Sequence, residues 1–373
     1  MFAQADAPLT FPIDTDDPAS LALRPVGLID GGAAKAAVGD GAAMKLAGGW
    51  IAFTGCEAVW RAGGAIRSRT LTLPELERLA AGGAPLARRA ALLIERLTAR
   101  RPPFAGIALD RPRIMGIVNA TPDSFHVRHP EPEAAIALAR AHVAAGADIV
   151  DVGGESTRPG TAPVAEEEEL RRVLPVLRGL AGMSAPISID TRHVAVMRAA
   201  LAAGARIVND VNALQAPGAI DLVKSSGAAA VVMHMKGEPA TMNLDPRYEH
   251  APYEIFRYLE ARVDACVAAG IDRPSLAVDP GIGFGMTVAH KREVLGWASL
   301  YHGIGCAVLI GASGKLPGGI EASLDAAVGV ARQGVQLVRV HDVAETRAAL
   351  AAALPPPPAP LGRRGIPASS GPR

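Results

Sequence analysis

The chain has 373 residues, 49% of them hydrophobic but only 4% aromatic, so its core must be built from Ala, Val, Leu and Ile. Lys and Arg number 38 against 37 Asp and Glu, and a net charge of +1 excludes a global field suited to nucleic acid or an anionic membrane. Cys56, Cys266 and Cys306 are far apart and lack metal-ligand spacing, which reads as buried thiols in a reducing compartment. Without a basic region leading an apolar run, and without an uncharged apolar stretch of about 18 residues, the expectation is a cytoplasmic protein with no membrane partner.

In chain order, residues 1–105 read as an N-terminal α+β extension. Gly pairs at 31–32, 48–49 and 63–64 mark turns, Trp50 to Thr54 reads as a strand, and Pro74 to Arg100 has an Arg- and Leu-rich helical pattern. No catalytic constellation is visible there. Short apolar runs then recur at 113–118, 148–152, 186–189, 205–208, 228–233, 275–278, 306–310 and 335–338, most of them followed by an Ala-rich amphipathic segment. Eight β/α repeats in roughly 240 residues predict an α/β fold, a (β/α)8 TIM barrel over 112–354. Residues 355–373, rich in Pro and Gly, cannot bury enough apolar surface to order themselves and read as a disordered C-terminal tail.

The strand ends carry Asn119, Asp151, Asp190, Asn209 with Asp210, His234, Asp279, Ser313 with Lys315, and Arg339 with His341. A barrel gathers these ends around one mouth, where this fold builds its active sites. Asp190, Asp279 and Asn209 suit a flat, amino-substituted heterocycle, because a carboxylate accepts paired N–H donors and an amide both donates and accepts. Lys315 could meet a ring carbonyl, and Phe284 offers an apolar wall beside the Gly281 to Gly285 loop. Asn119, Arg158, Arg339 and His341 suit a diphosphate, since guanidinium groups hold phosphate oxygens bidentately. The bland readings are a turn-forming Asp279, a packing role for Cys266, and a solvated first helical turn for Glu166 to Glu169.

Seven segments resemble the dihydropteroate synthase family. They are N-A-T-P-D-S-F at 119–125, D-V-G-G-E-S-T-R-P-G at 151–160, S-I-D-T at 188–191, N-D-V at 209–211, M-H-M-K-G-E-P-A-T-M at 233–242, D-P-G-I-G-F-G at 279–285 and R-V-H-D-V at 339–343. The resemblance implies condensation of 6-hydroxymethyl-7,8-dihydropterin diphosphate with p-aminobenzoate, with Mg²⁺, by a homodimer. It implies pterin binding by Asp190, Asn209, Asp279 and Lys315, with Asp151 near the ring. Diphosphate binding would fall to Asn119, Arg158, Arg339 and His341, with Asn119 also reaching Mg²⁺. Thr157, Pro159, Phe284 and Ser313 would frame p-aminobenzoate.

The chain departs from the family pattern in its loops. His126-Val127-Arg128-His129-Pro130 stands where the family has Ser-Asp-Gly-Gly, and Ser313-Gly314-Lys315 stands for Ser-Arg-Lys. The segment from Lys315 to Arg339 is short, and Gly-Lys-Thr with a later His-Asn becomes Gly285-Met286-Thr287 with His290-Lys291. The alternative that these changes open is a non-catalytic or weakly active pterin-binding paralogue that partners a true synthase.

Overall fold

The computed structural model describes residues 13–120, 132–155, 164–237, 241–242 and 244–355. The extension comprises β1 (Ala22–Val26), β2 (Ile29–Asp30), α1 (Gly31–Gly39), β3 (Met44–Lys45), β4 (Ile51–Phe53), β5 (Gly55–Ala62), β6 (Ala65–Thr72), α2 (Leu73–Ala80) and α3 (Pro85–Thr98). Its strands form two antiparallel sheets, ordered β1-β5-β6 and β2-β4-β3. The long helix expected over 74–100 is two helices, since Gly82 with φ +97° falls in the break. Thr72 and Glu75 form a capping box at the start of α2.

Strands and helices then alternate. The strands are β7 (Arg113–Asn119), β8 (Ile149–Gly153), β9 (Ile187–Asp190), β10 (Ile207–Asp210), β11 (Ala229–Met233), β12 (Leu276–Asp279), β13 (Ala307–Gly311) and β14 (Leu337–Val340). The intervening helices are α4 (Pro132–Ala144), α5 (Glu166–Gly179), α6 (Val194–Ala202), α7 (Ala219–Ser226), α8 (Ala251–Ala268), α9 (Val288–Gly296) and α10 (Gly319–Ala331), with α11 (Val343–Ala353) last. The eight strands pair in parallel, and β14 closes on β7 through Val340 opposite Gly116. This is the TIM barrel that the repeats predict.

Two cores follow from the strand alternation. Met115, Ile149, Ile207, Val231, Leu309 and Leu337 point inward, and Phe104, from the segment joining the extension to β7, is fully buried among them. The outward-facing residues merge with the barrel helices and the extension into one larger core. At that junction Arg89 and Arg96 of α3 reach Glu260 of α8 at 2.7 and 3.0 Å, Tyr253 donates to Ser20 O, and Trp50 donates to Ala331 O. The extension therefore lies on the flank made by α8, the 3₁₀ segment Ala298–Ile304 and the end of α10. The three cysteines are free and buried. The tail expected over 355–373 falls, after Pro355, outside the described residues.

Candidate active site

The barrel mouth is organised around Arg339 of β14. Its Nε donates to Asp151 Oδ2 at 2.6 Å and its Nη2 to Asp190 Oδ2 at 2.6 Å, so one guanidinium ties β14 to β8 and β9 across the top of the barrel. Asn209 of β10 donates to the same Asp151 oxygen at 3.1 Å. The other Asp151 oxygen is buried without a partner among the described residues. An unpartnered buried carboxylate oxygen costs free energy until a donor arrives, so a ligand carrying N–H groups is favoured here.

These charges shift one another. Burial pushes the Asp190 carboxyl up to about 7 against the pull of Arg339, with Asp151 adding like-charge repulsion. Burial works against the Arg339 charge, yet Asp151 and Asp190 overcome it and raise its pKa. Asp279 ends β12 and accepts from Gly281 N at 2.7 Å; burial lifts its carboxyl to about 6. Lys315, in the segment after β13, is lowered to about 8 by burial and by Arg339, against the attraction of Asp279.

The loop after β12 is fixed by close backbone approach. A Cβ on Gly281, whose φ is +69°, would stand 1.9 Å from the His234 carbonyl oxygen, so only glycine fits. This contact lets Phe284 face the mouth, with Lys315 Nζ 4.9 Å from its ring centroid. On the opposite side, Asn119 Nδ2 lies 3.5 Å from His341 Nε2, and Ser313 Oγ accepts from His341 N at 3.0 Å.

The fold thus gathers Asn119, Asp151, Asp190, Asn209, Asp279, Phe284, Ser313, Lys315, Arg339 and His341 at one mouth. Thr157, Arg158 and Pro159 lie outside the described residues. Asp210 turns away from the mouth, its two oxygens accepting from Asn212 N and Leu214 N at 2.8 Å each, and so braces a turn.

The expectation for Glu166 to Glu169 needs correction. Glu169 is fully buried, and its Oε2 meets His193 Nδ1 at 2.6 Å. Beside it Arg192 clasps both oxygens of Glu155, at 3.0 and 3.1 Å. Carboxylate oxygens of Glu155 and Glu169 and a His193 ring nitrogen lie within 4.8 Å of one another. This buttress joins the ends of β8 and β9, and the sequence reading missed it. Its signal was available: Glu169 shares the helical stripe of Val173 and Val176.

A family model described as pterin binding enzyme matches residues 115–341. Dihydropteroate synthase of Neisseria meningitidis serogroup C is 43% identical over 263 residues, spanning 66% of this chain and 93% of that protein. The chain belongs to the dihydropteroate synthase family. A synthase by this kinship, it is a transferase of folate biosynthesis. Structures of the Xanthomonas albilineans synthase agree in fold. The complex with 4-aminobenzoic acid superposes with a TM-score of 0.61 at 41% identity, and the complex with 7,8-dihydropteroate with 0.59 at 40%. Each alignment covers 66% of this chain and 94% of the other. The family match encloses the site from Asn119 to His341, while the extension lies outside it.

Proposed function

We propose that this synthase joins the methylene of 6-hydroxymethyl-7,8-dihydropterin diphosphate to the amine of p-aminobenzoate, releasing diphosphate and 7,8-dihydropteroate. The observation that carries the site assignment is the Asp151–Arg339–Asp190 bridge, with Asn209 on Asp151 and Asp279 beside Lys315. In this reading Asp279, Asn209 and Asp190 accept from and donate to the pterin edge, Lys315 meets its carbonyl, and Asp151 supports the ring system. Asn119, Arg158, Arg339 and His341 hold the diphosphate, while Thr157, Pro159, Phe284 and Ser313 frame p-aminobenzoate.

The chemistry needs charge stabilisation more than proton transfer. As the C–O bond to diphosphate breaks, Arg339 and His341 stabilise the departing oxygens. The buried carboxylates stabilise positive charge developing on the pterin methylene, and the weakly basic arylamine then attacks that carbon and sheds a proton. Asn119 fits a role in holding Mg²⁺. Its amide nitrogen faces His341, its carbonyl oxygen bonds to none of the described residues, and Mg²⁺ prefers a few hard oxygens plus substrate phosphates. When bound, Mg²⁺ neutralises charge on the leaving diphosphate.

We read the enzyme as cytoplasmic, in keeping with its unbridged cysteines. No helix among the described residues is long and apolar enough to cross a membrane. We also read it as a homodimer. Because the extension already covers the outer side of α8, a second copy would dock on other barrel helices, and light scattering tests this through a mass twice that of the 38.3 kDa chain. Metal dependence tests the Mg²⁺ assignment: a chelator should suppress diphosphate release and added Mg²⁺ should restore it. Full activity in chelator would remove Mg²⁺ from the scheme.

A further inference from the structure

Between β12 and β13 the mouth carries a cation that the scheme above leaves unused. Lys291, in the first turn of α9, bends its side chain back over the Gly281 to Gly285 loop. A Cβ placed on Gly283 would stand 3.6 Å from its Cε and 3.8 Å from its Nζ, and also 3.6 Å from Cδ of Lys315. Two lysine side chains therefore converge on one glycine beside Phe284. Lys291 is half-buried, and no carboxylate among the described residues forms an ion pair with it. Burial lowers its pKa, and its charge in turn helps to lower that of Lys315. Two lysine side chains gathered over one glycine, one of them without an ion pair among the described residues, mark a place suited to an anion.

The position selects among the anionic groups of the two substrates. The diphosphate is assigned to Asn119, Arg158, Arg339 and His341, and the pterin edge to Asp279, Asn209 and Asp190. The carboxylate of p-aminobenzoate is the anion left without a cation, and Phe284, next in the chain to the glycine that Lys291 approaches, supplies an aromatic wall. We propose that Lys291 determines specificity for the second substrate by pairing with the carboxylate of p-aminobenzoate. This rests on the reaction proposed above and deepens it.

The test is the variant Lys291→Met, which keeps the apolar stem and removes the charge. The KM for p-aminobenzoate should rise about tenfold, as expected for one charge-assisted contact at a partly solvated site, while the KM for the pterin diphosphate stays at the wild-type value. Wild type should prefer p-aminobenzoate over the neutral 4-aminobenzamide, the variant should lose that preference, and Lys291→Arg should restore it. Calorimetric binding of p-aminobenzoate to protein loaded with a pterin and diphosphate provides the same comparison without turnover. Lys291-dependent binding by a wild type that releases no diphosphate would count against the reaction and leave this inference standing. Equal p-aminobenzoate affinity in wild type and Lys291→Met, or a raised KM for the pterin diphosphate instead, would overturn it.

Discussion

Asp190 is where the electrostatics of the mouth become measurable. Because burial raises its pKa to about 7, the free protein holds a proton there at lower pH and a carboxylate above it. A pterin that donates to the carboxylate must displace that proton, so its affinity should rise from pH 6 to 8. Asp190→Asn should flatten this profile and weaken pterin binding by roughly ten- to a hundredfold, the scale of a lost hydrogen bond to a charged group. Titration calorimetry of an unphosphorylated pterin measures both; an unchanged profile would remove Asp190 from the pterin site. Arg339 was legible as a cation at the mouth, but its simultaneous hold on Asp151 and Asp190 was not, because that contact joins strands far apart in sequence. Arg339→Ala should therefore weaken unphosphorylated pterin as well as the diphosphate ester, since it leaves two acids without their shared partner. Loss confined to the ester would refute that coupling.

Loops and helices carry the next set of consequences. Gly281→Ala would add a Cβ against the His234 carbonyl at positive φ, and the expected loss is about 2 kcal/mol or more of stability, seen as a lower Tm, with weaker p-aminobenzoate binding as Phe284 shifts. The barrel elements were legible because apolar runs and Ala-rich helices alternate with little interruption, and the polar residue at each strand end was in plain view. The β5–β6 hairpin was not. β6 is largely exposed and carries Arg67 and Arg69, so its alternation is diluted until pairing with β5 brings Trp60 opposite Arg67. Glu169 escaped for a different reason. Four consecutive acids look like a solvated run, although only helical geometry decides which one turns inward.

At the scale of the whole molecule, the extension behaves as part of the barrel's packing. Glu260 is 4% exposed and receives Arg89, Arg96 and Arg257, all half-buried, so Glu260→Ala removes the shared carboxylate of three guanidinium groups and should cost about 3 kcal/mol, read as a lower denaturation midpoint. A change below 0.5 kcal/mol, the surface-pair scale, would mean that the junction is loose. The small net charge agrees with this organisation, since Arg339 and Lys315 lie together at one mouth among Asp151, Asp190 and Asp279. The most direct test of the central claim gives purified protein dihydropterin diphosphate, p-aminobenzoate and Mg²⁺ and follows diphosphate release. The account predicts turnover that requires both organic substrates and yields one 7,8-dihydropteroate per diphosphate. Tight pterin binding with no diphosphate released would contradict it.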